Sequence, residues 1–232
     1  MNPRAIGILS GVLVVAGAAA IESSRAAAQG KGLDVVPMVG HWRQHVDGGE
    51  QIATVDGTEW DKKPLADPLA ILRQLFKAPA GDAGSRFVAN ASSSGAFPLA
   101  AVRDVEAFTD GTAQVQFKLI AGASDQLAGL VFNLRSTGEY LAVRYNTKDG
   151  NVALWKFADG ARARVADGTA HAQLPLGVWH TLELQVADRQ VTGIVNGTLR
   201  VEHALDQPVS GRLGLWAKPD SVSAFKGLRI QK

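Results

Sequence analysis

Leu130 to Asn146 reads LVFNLRSTGEYLAVRYN, and this stretch decides the fold. Leu130, Phe132 and Leu134 alternate with Val131, Asn133 and Arg135. After Ser136-Thr137-Gly138, Leu141, Val143 and Tyr145 alternate with Tyr140, Arg144 and Asn146. A period of two on both sides of a glycine-bearing turn predicts a β-hairpin with one face on a core.

The same pattern spreads outward along the chain. Val115, Phe117 and Leu119 alternate with Gln114, Gln116 and Lys118, and Leu182, Leu184 and Val186 form an inward set within Trp179 to Val186. Val191 to Val195 runs into Asn196-Gly197, a dipeptide suited to a two-residue hairpin turn, and Leu199 to His203 returns. Val152 to Phe157, Leu213 to Trp216 and Val222 to Ile230 read as further strands. Turns at Asp149-Gly150, Asp159-Gly160, Asp167-Gly168 and Pro219-Asp220 separate them. Only Asp67 to Lys77 has helical spacing: an Asp N-cap, Pro68 at the first position, then Leu69, Leu72, Leu75 and Phe76. Many short strands and one short helix predict an all-β protein, an antiparallel sandwich or barrel. A parallel α/β sheet would need strands apolar on both faces.

Composition narrows the function classes. The 232 residues include no cysteine, which excludes disulfides, thiolate metal sites and a cysteine nucleophile. Twenty-four Lys and Arg against 22 Asp and Glu are scattered, so no basic face for nucleic acid is expected. The first 28 residues read as a signal peptide: Arg4, an apolar run from Ala5 to Ile21, and Ala26-Ala27-Ala28 before cleavage. Cleavage after Ala20 and a retained anchor are the alternatives. Residues 29–39 read as a lead-in, and 40–232 as one sandwich domain. The expected location is secreted or periplasmic, with no stable membrane span after cleavage.

The second half resembles secreted bacterial domains of the concanavalin A-like jelly-roll fold. These are grouped with the 3-keto-disaccharide hydrolase family and are distantly similar to family 16 glycoside hydrolases and laminin G-like domains. The resemblance rests on GASDQLAGLVF (122–132), YLAVRYN (140–146), NVALWK (151–156), DGAR (159–162), GVWHTL (177–182), VNG (195–197) and GRLGLWAKPDSV (211–222), and covers about residues 107 to 230. It implies a jelly-roll β-sandwich with Trp42 to Val46 beside the last strand, and a carbohydrate or cell-envelope component as partner.

A retaining glycosidase needs two carboxyl groups about 5–5.5 Å apart. The Glu-x-Asp-x-x-Glu arrangement of family 16 enzymes is absent, and no catalytic residue is assigned. The expectation is therefore a non-catalytic binding protein, with a hydrolase of the 3-keto-disaccharide type as the alternative. The five histidines do not cluster. No cofactor is expected; Asp125 and Asp220 are the loop acids open to a calcium ion.

The candidate ligand site comes from strand parity. Asn133, Arg135, Tyr140, Arg144 and Asn146 should share the face of the hairpin opposite its core. Guanidinium, amide and phenol groups supply donors for sugar hydroxyls, and Trp155 on the next strand would add a ring face. The competing role for the arginines is to solubilise that face or to pair with carboxylates such as Glu183. Trp179 and Trp216 each end an apolar run and are expected in the core or at a corner.

Overall fold

A computed structural model describes residues 32–59, 67–77 and 81–232; the signal-peptide reading lies outside them. The described residues form fourteen strands and two helices. The strands are β1 (35–39), β2 (41–47), β3 (50–56), β4 (99–102), β5 (111–121), β6 (127–134) and β7 (140–146), then β8 (151–158), β9 (161–167), β10 (179–187), β11 (190–195), β12 (199–204), β13 (212–216) and β14 (222–231). They make two seven-stranded antiparallel sheets. The first has the order β1-β4-β13-β6-β7-β8-β9 and the second β12-β11-β10-β5-β14-β3-β2. Their stacking is a jelly-roll β-sandwich.

The core lies where the inward parities meet. Ala113, Val115, Phe117 and Leu119 of β5 are fully buried, while Gln114, Gln116 and Lys118 between them are half-exposed. Leu130, Phe132, Leu141, Val143, Leu182, Leu184 and Val195 join the same cluster. The sheets approach so closely that Gly193 is required: a Cβ there would lie 2.3 Å from Val143 Cγ1. Asn196 and Gly197 take positive φ of 49° and 72°, the left-handed pair that closes the β11–β12 hairpin.

The outer face of the first sheet departs from the expected open polar surface. Its central strands β6 and β7 are buried on both faces. Met38, Leu99, Val131, Tyr140, Phe157 and Trp216 form a second cluster beneath the helices. Helix α1 (Pro68–Phe76) starts as the sequence predicts, with Asp67 accepting from Ala70 N at 2.9 Å. Its end is held by Arg212, which is 4% exposed and donates to Leu75 O at 2.8 Å and Arg103 O at 2.6 Å. Helix α2 (Asp82–Ala91) has no counterpart in the sequence reading. Its buried side is Gly84, Phe87, Asn90 and Ala91, mostly small residues that carry little apolar signal. Asn90 Nδ2 donates to Thr137 O at 2.7 Å, tying α2 to the β6–β7 turn.

Two N-terminal expectations are corrected. Residues 35–39, read as lead-in, form β1 at the edge of the first sheet, where Pro37 lacks only a hydrogen that faces no neighbour. The segment His41 to Asp47 does not lie beside β14: β3 intervenes and pairs with both. At one end of the sandwich the sheets are stitched, Ser221 Oγ accepting from Leu127 N and Ser223 Oγ donating to Leu127 O. At the other they part around a cavity of about 400 Å³. Among the described residues no helix is long and apolar enough to cross a membrane.

Candidate functional site

The six residues singled out by parity fall in three places. Arg144 and Asn146 do lie opposite the core, paired with Gly129 and Leu127 on β6, but neither is free. Arg144 is 2% exposed. Its Nη1 donates to Asn151 O at 3.0 Å and Asn151 Oδ1 at 2.6 Å, and its Nη2 to Asp149 Oδ2 at 2.9 Å. Burial pushes its pKa down, and Asp149 acts against that shift. Asn146 Nδ2 donates to Asp125 Oδ1 at 3.0 Å and Asp149 Oδ2 at 3.2 Å, and its Oδ1 accepts from Lys148 N. These side chains brace the β7–β8 turn. The expected sugar-gripping role of Arg144 is replaced by a buried ion pair, because the turn folds Asp149 and Asn151 back over it.

Asn133, Arg135 and Tyr140 line the cavity at the open end of the sandwich. Asn133 takes φ of 51° at a bulge, since Leu134 pairs with Arg212 while Val131 pairs with Gly214. That extra residue ends the strict alternation from which its placement was read. Its Oδ1 accepts from Ser210 N. Arg135 is exposed. Tyr140 is buried, its ring stacked on Phe157 at 5.1 Å and set edge-on to Trp216 at 6.3 Å. Its hydroxyl has no well-aligned hydrogen-bond partner among the described residues, and burial pushes its pKa up, against the Arg162 charge and the Trp216 indole.

Trp155 does face outward. It packs at the margin of the second cluster, half-buried. The guanidinium carbons of Arg164 and Arg162 stand 5.1 and 5.6 Å from its ring centroid. Arg162 also lies flat on Phe97 at 3.5 Å, and Phe97 stacks on Trp216 at 5.9 Å. A ladder of planar groups thus crosses the face from β13 to β9. Beside it run the acids of the turn network, each already engaged. Asp125 pairs with Lys218, Asp149 with Arg144, and Asp167 with Arg164.

Phe97, Arg162 and Arg164 escaped the sequence reading. Arg162-Ala163-Arg164 carried a signal, since even spacing on a short strand puts two guanidinia on one face. Phe97 carried none; only the path of the loop before β4 brings it over Trp216. Trp179, expected in the core or at a corner, is instead on the outer face of the second sheet, with Lys118 and Lys226 ammonium groups 4.6 and 4.8 Å from its ring. Trp216 is buried as expected.

The loop acids are used locally. Lys218 occupies the Asp125 carboxylate at 2.9 Å. The Asp220 carboxylate accepts backbone N–H groups, foremost that of Ser124, which hold its pKa below the ordinary value. Among the described residues no three His, Asp or Glu side chains converge as a metal site. His180 is structural: Nε2 is 3.1 Å from Pro175 O, and Nδ1 is 3.1 Å from Asn196 Nδ2.

No family model and no curated protein matches this chain. Its structure is similar to a carbohydrate-binding module, CBM66, from Bacillus subtilis, at TM-score 0.58 and 12% identity over 85% of this chain and 95% of that one. A β-glucanase from Bacillus licheniformis aligns at TM-score 0.47 and 12% identity, over 87% and 89% of the two chains. With two seven-stranded antiparallel sheets in this order, the chain has a jelly-roll β-sandwich fold.

Proposed function

We propose that this protein is a non-catalytic carbohydrate-binding sandwich that takes its ligand on the outer face of the first sheet, at Trp155. The observation that carries the reading is a half-buried indole flanked by two arginines on that face. A sugar's C–H face suits such a ring, and its hydroxyls suit guanidinium edges. The fold shared with a carbohydrate-binding module supports the choice. The engaged state of Asp125, Asp149 and Asp167 favours binding over hydrolysis, including the 3-keto-disaccharide type, because none is a spare carboxyl beside the ring. The N-terminal segment supports export, with maturation after Ala28 and a glycan or other cell-envelope component as target.

Affinity electrophoresis against a polysaccharide panel tests the reading. Wild type should be retarded by at least one polymer, and Trp155→Ala should weaken that binding about tenfold or more. Release of reducing ends by the purified protein, or equal retardation of the Trp155→Ala variant, would overturn it.

A further inference from the structure

Arg162 differs from the other arginines of this face. Arg144 is tied to Asp149 and Arg164 to Asp167, each by a salt bridge. Arg162 has no carboxylate partner and donates no hydrogen bond to any described residue. Its guanidinium lies flat on Phe97, with the carbon 3.5 Å from the ring centroid. Flat stacking uses the π face of the group and leaves its in-plane N–H edge unspent.

The side chain is half-buried, and burial lowers its pKa, opposed by the nearby Tyr140 and Asp125. Its Nε is sealed from solvent without an acceptor, as is the indole nitrogen of the neighbouring Trp155. The two terminal nitrogens are not sealed, and they carry no hydrogen bond to any described residue. A partly desolvated cation kept without a counter-charge is unfavourable for the free protein. An anion arriving at the terminal nitrogens supplies that charge, and a planar carboxylate matches the guanidinium edge with two parallel hydrogen bonds.

We propose that Arg162 receives the carboxylate of an acidic sugar, so that the glycan bound at Trp155 is a uronate-containing polymer. This rests on the outer face being the glycan site. Phe97 fixes the guanidinium in place, Trp155 takes the sugar ring, and Arg164, held by Asp167, frames the far side. Lys cannot replace Arg162, because an ammonium neither stacks flat nor presents a two-pronged edge.

The test uses oligomers of polygalacturonate, alginate and glucuronan, each beside its carboxyl-reduced neutral form, titrated into the full mature chain by calorimetry. At least one uronate should bind about tenfold or more tightly than its neutral counterpart, with an advantage that shrinks as salt rises. Arg162→Gln should erase that advantage, bringing the uronate down to the affinity of its neutral counterpart for the same variant. Arg162→Lys, which retains the charge, should recover only a small part of it. Lys156→Gln removes a charge from the opposite face of β8 and should change nothing, which separates a specific contact from diffuse attraction. Equal binding of the acidic and neutral forms, or full uronate affinity in both Arg162 variants, overturns the assignment while leaving the Trp155 site standing. No binding of either form overturns the uronate assignment, and the Trp155 site is then judged by the polysaccharide panel alone.

Discussion

Replacing Arg144 with Ala removes a guanidinium that is 2% exposed and makes hydrogen bonds of 2.6, 2.9 and 3.0 Å to Asn151 Oδ1, Asp149 Oδ2 and Asn151 O. Breaking a buried ion pair costs about 3–5 kcal/mol when the remaining charge stays buried. Asp149 is 46% exposed, so water restores most of its solvation and the loss on its side falls to about 1 kcal/mol. Asn151 is 5% exposed, and its orphaned acceptors add about 1–3 kcal/mol that water cannot return. Together these place the expected loss near 3 kcal/mol. With a urea slope of about 2 kcal/mol per M for a domain of this size, the midpoint should fall by about 1.5 M at unchanged slope. Arg144→Lys should lose nearly as much, because one ammonium cannot serve both residues. A double-mutant cycle with Asp149→Ala should return a coupling of about 1 kcal/mol. A midpoint shift corresponding to less than about 0.5 kcal/mol would refute the reasoning. It would return Arg144 to the ligand-facing role that strand parity suggests.

Leu184→Ala, at a fully buried site, should cost about 2–5 kcal/mol in urea unfolding; a change near zero would mean that β10 is out of register by one residue. Gly193→Ala should cost about 1–3 kcal/mol, because the added methyl meets Val143 of the opposite sheet. Arg212→Met should free the end of α1, seen as faster amide exchange over residues 72–77 with the β5–β10 ladder still protected. The Asp220 carboxyl has its folded pKa held below the unfolded value by backbone N–H donors, so its contribution to stability is complete above about pH 4 and is lost as pH falls through the folded value. Asp220→Asn should therefore flatten the stability profile only below about pH 4, and identical acid limbs for the two proteins would contradict this.

Where one face of a strand meets a core, residue identity fixes which way its side chains point, and there the sequence alone was sufficient. Val115, Phe117, Leu182 and Leu184 face inward because any one-residue slip would expose all of them. Asn196-Gly197 sets its own hairpin through positive φ, and Asp67-Pro68 starts its own helix, since both are decided within four residues. What lies over a face is decided by distant chain, and parity is silent about it. Helix α2 holds its place through Phe87, Asn90 and a run of small residues, a pattern too weak to read before Thr137 and Leu69 are known to meet it. Arg144 has the right parity for an open site, yet the β7–β8 turn closes on it, and whether a polar residue binds a ligand or braces a turn depends on who its neighbours become. The bulge at Asn133 sent that residue to another part of the molecule altogether. Phe97, Trp155 and Arg162 come together only because a loop and two strands cross one sheet face. That juxtaposition is long-range packing, so tertiary structure alone decided the site.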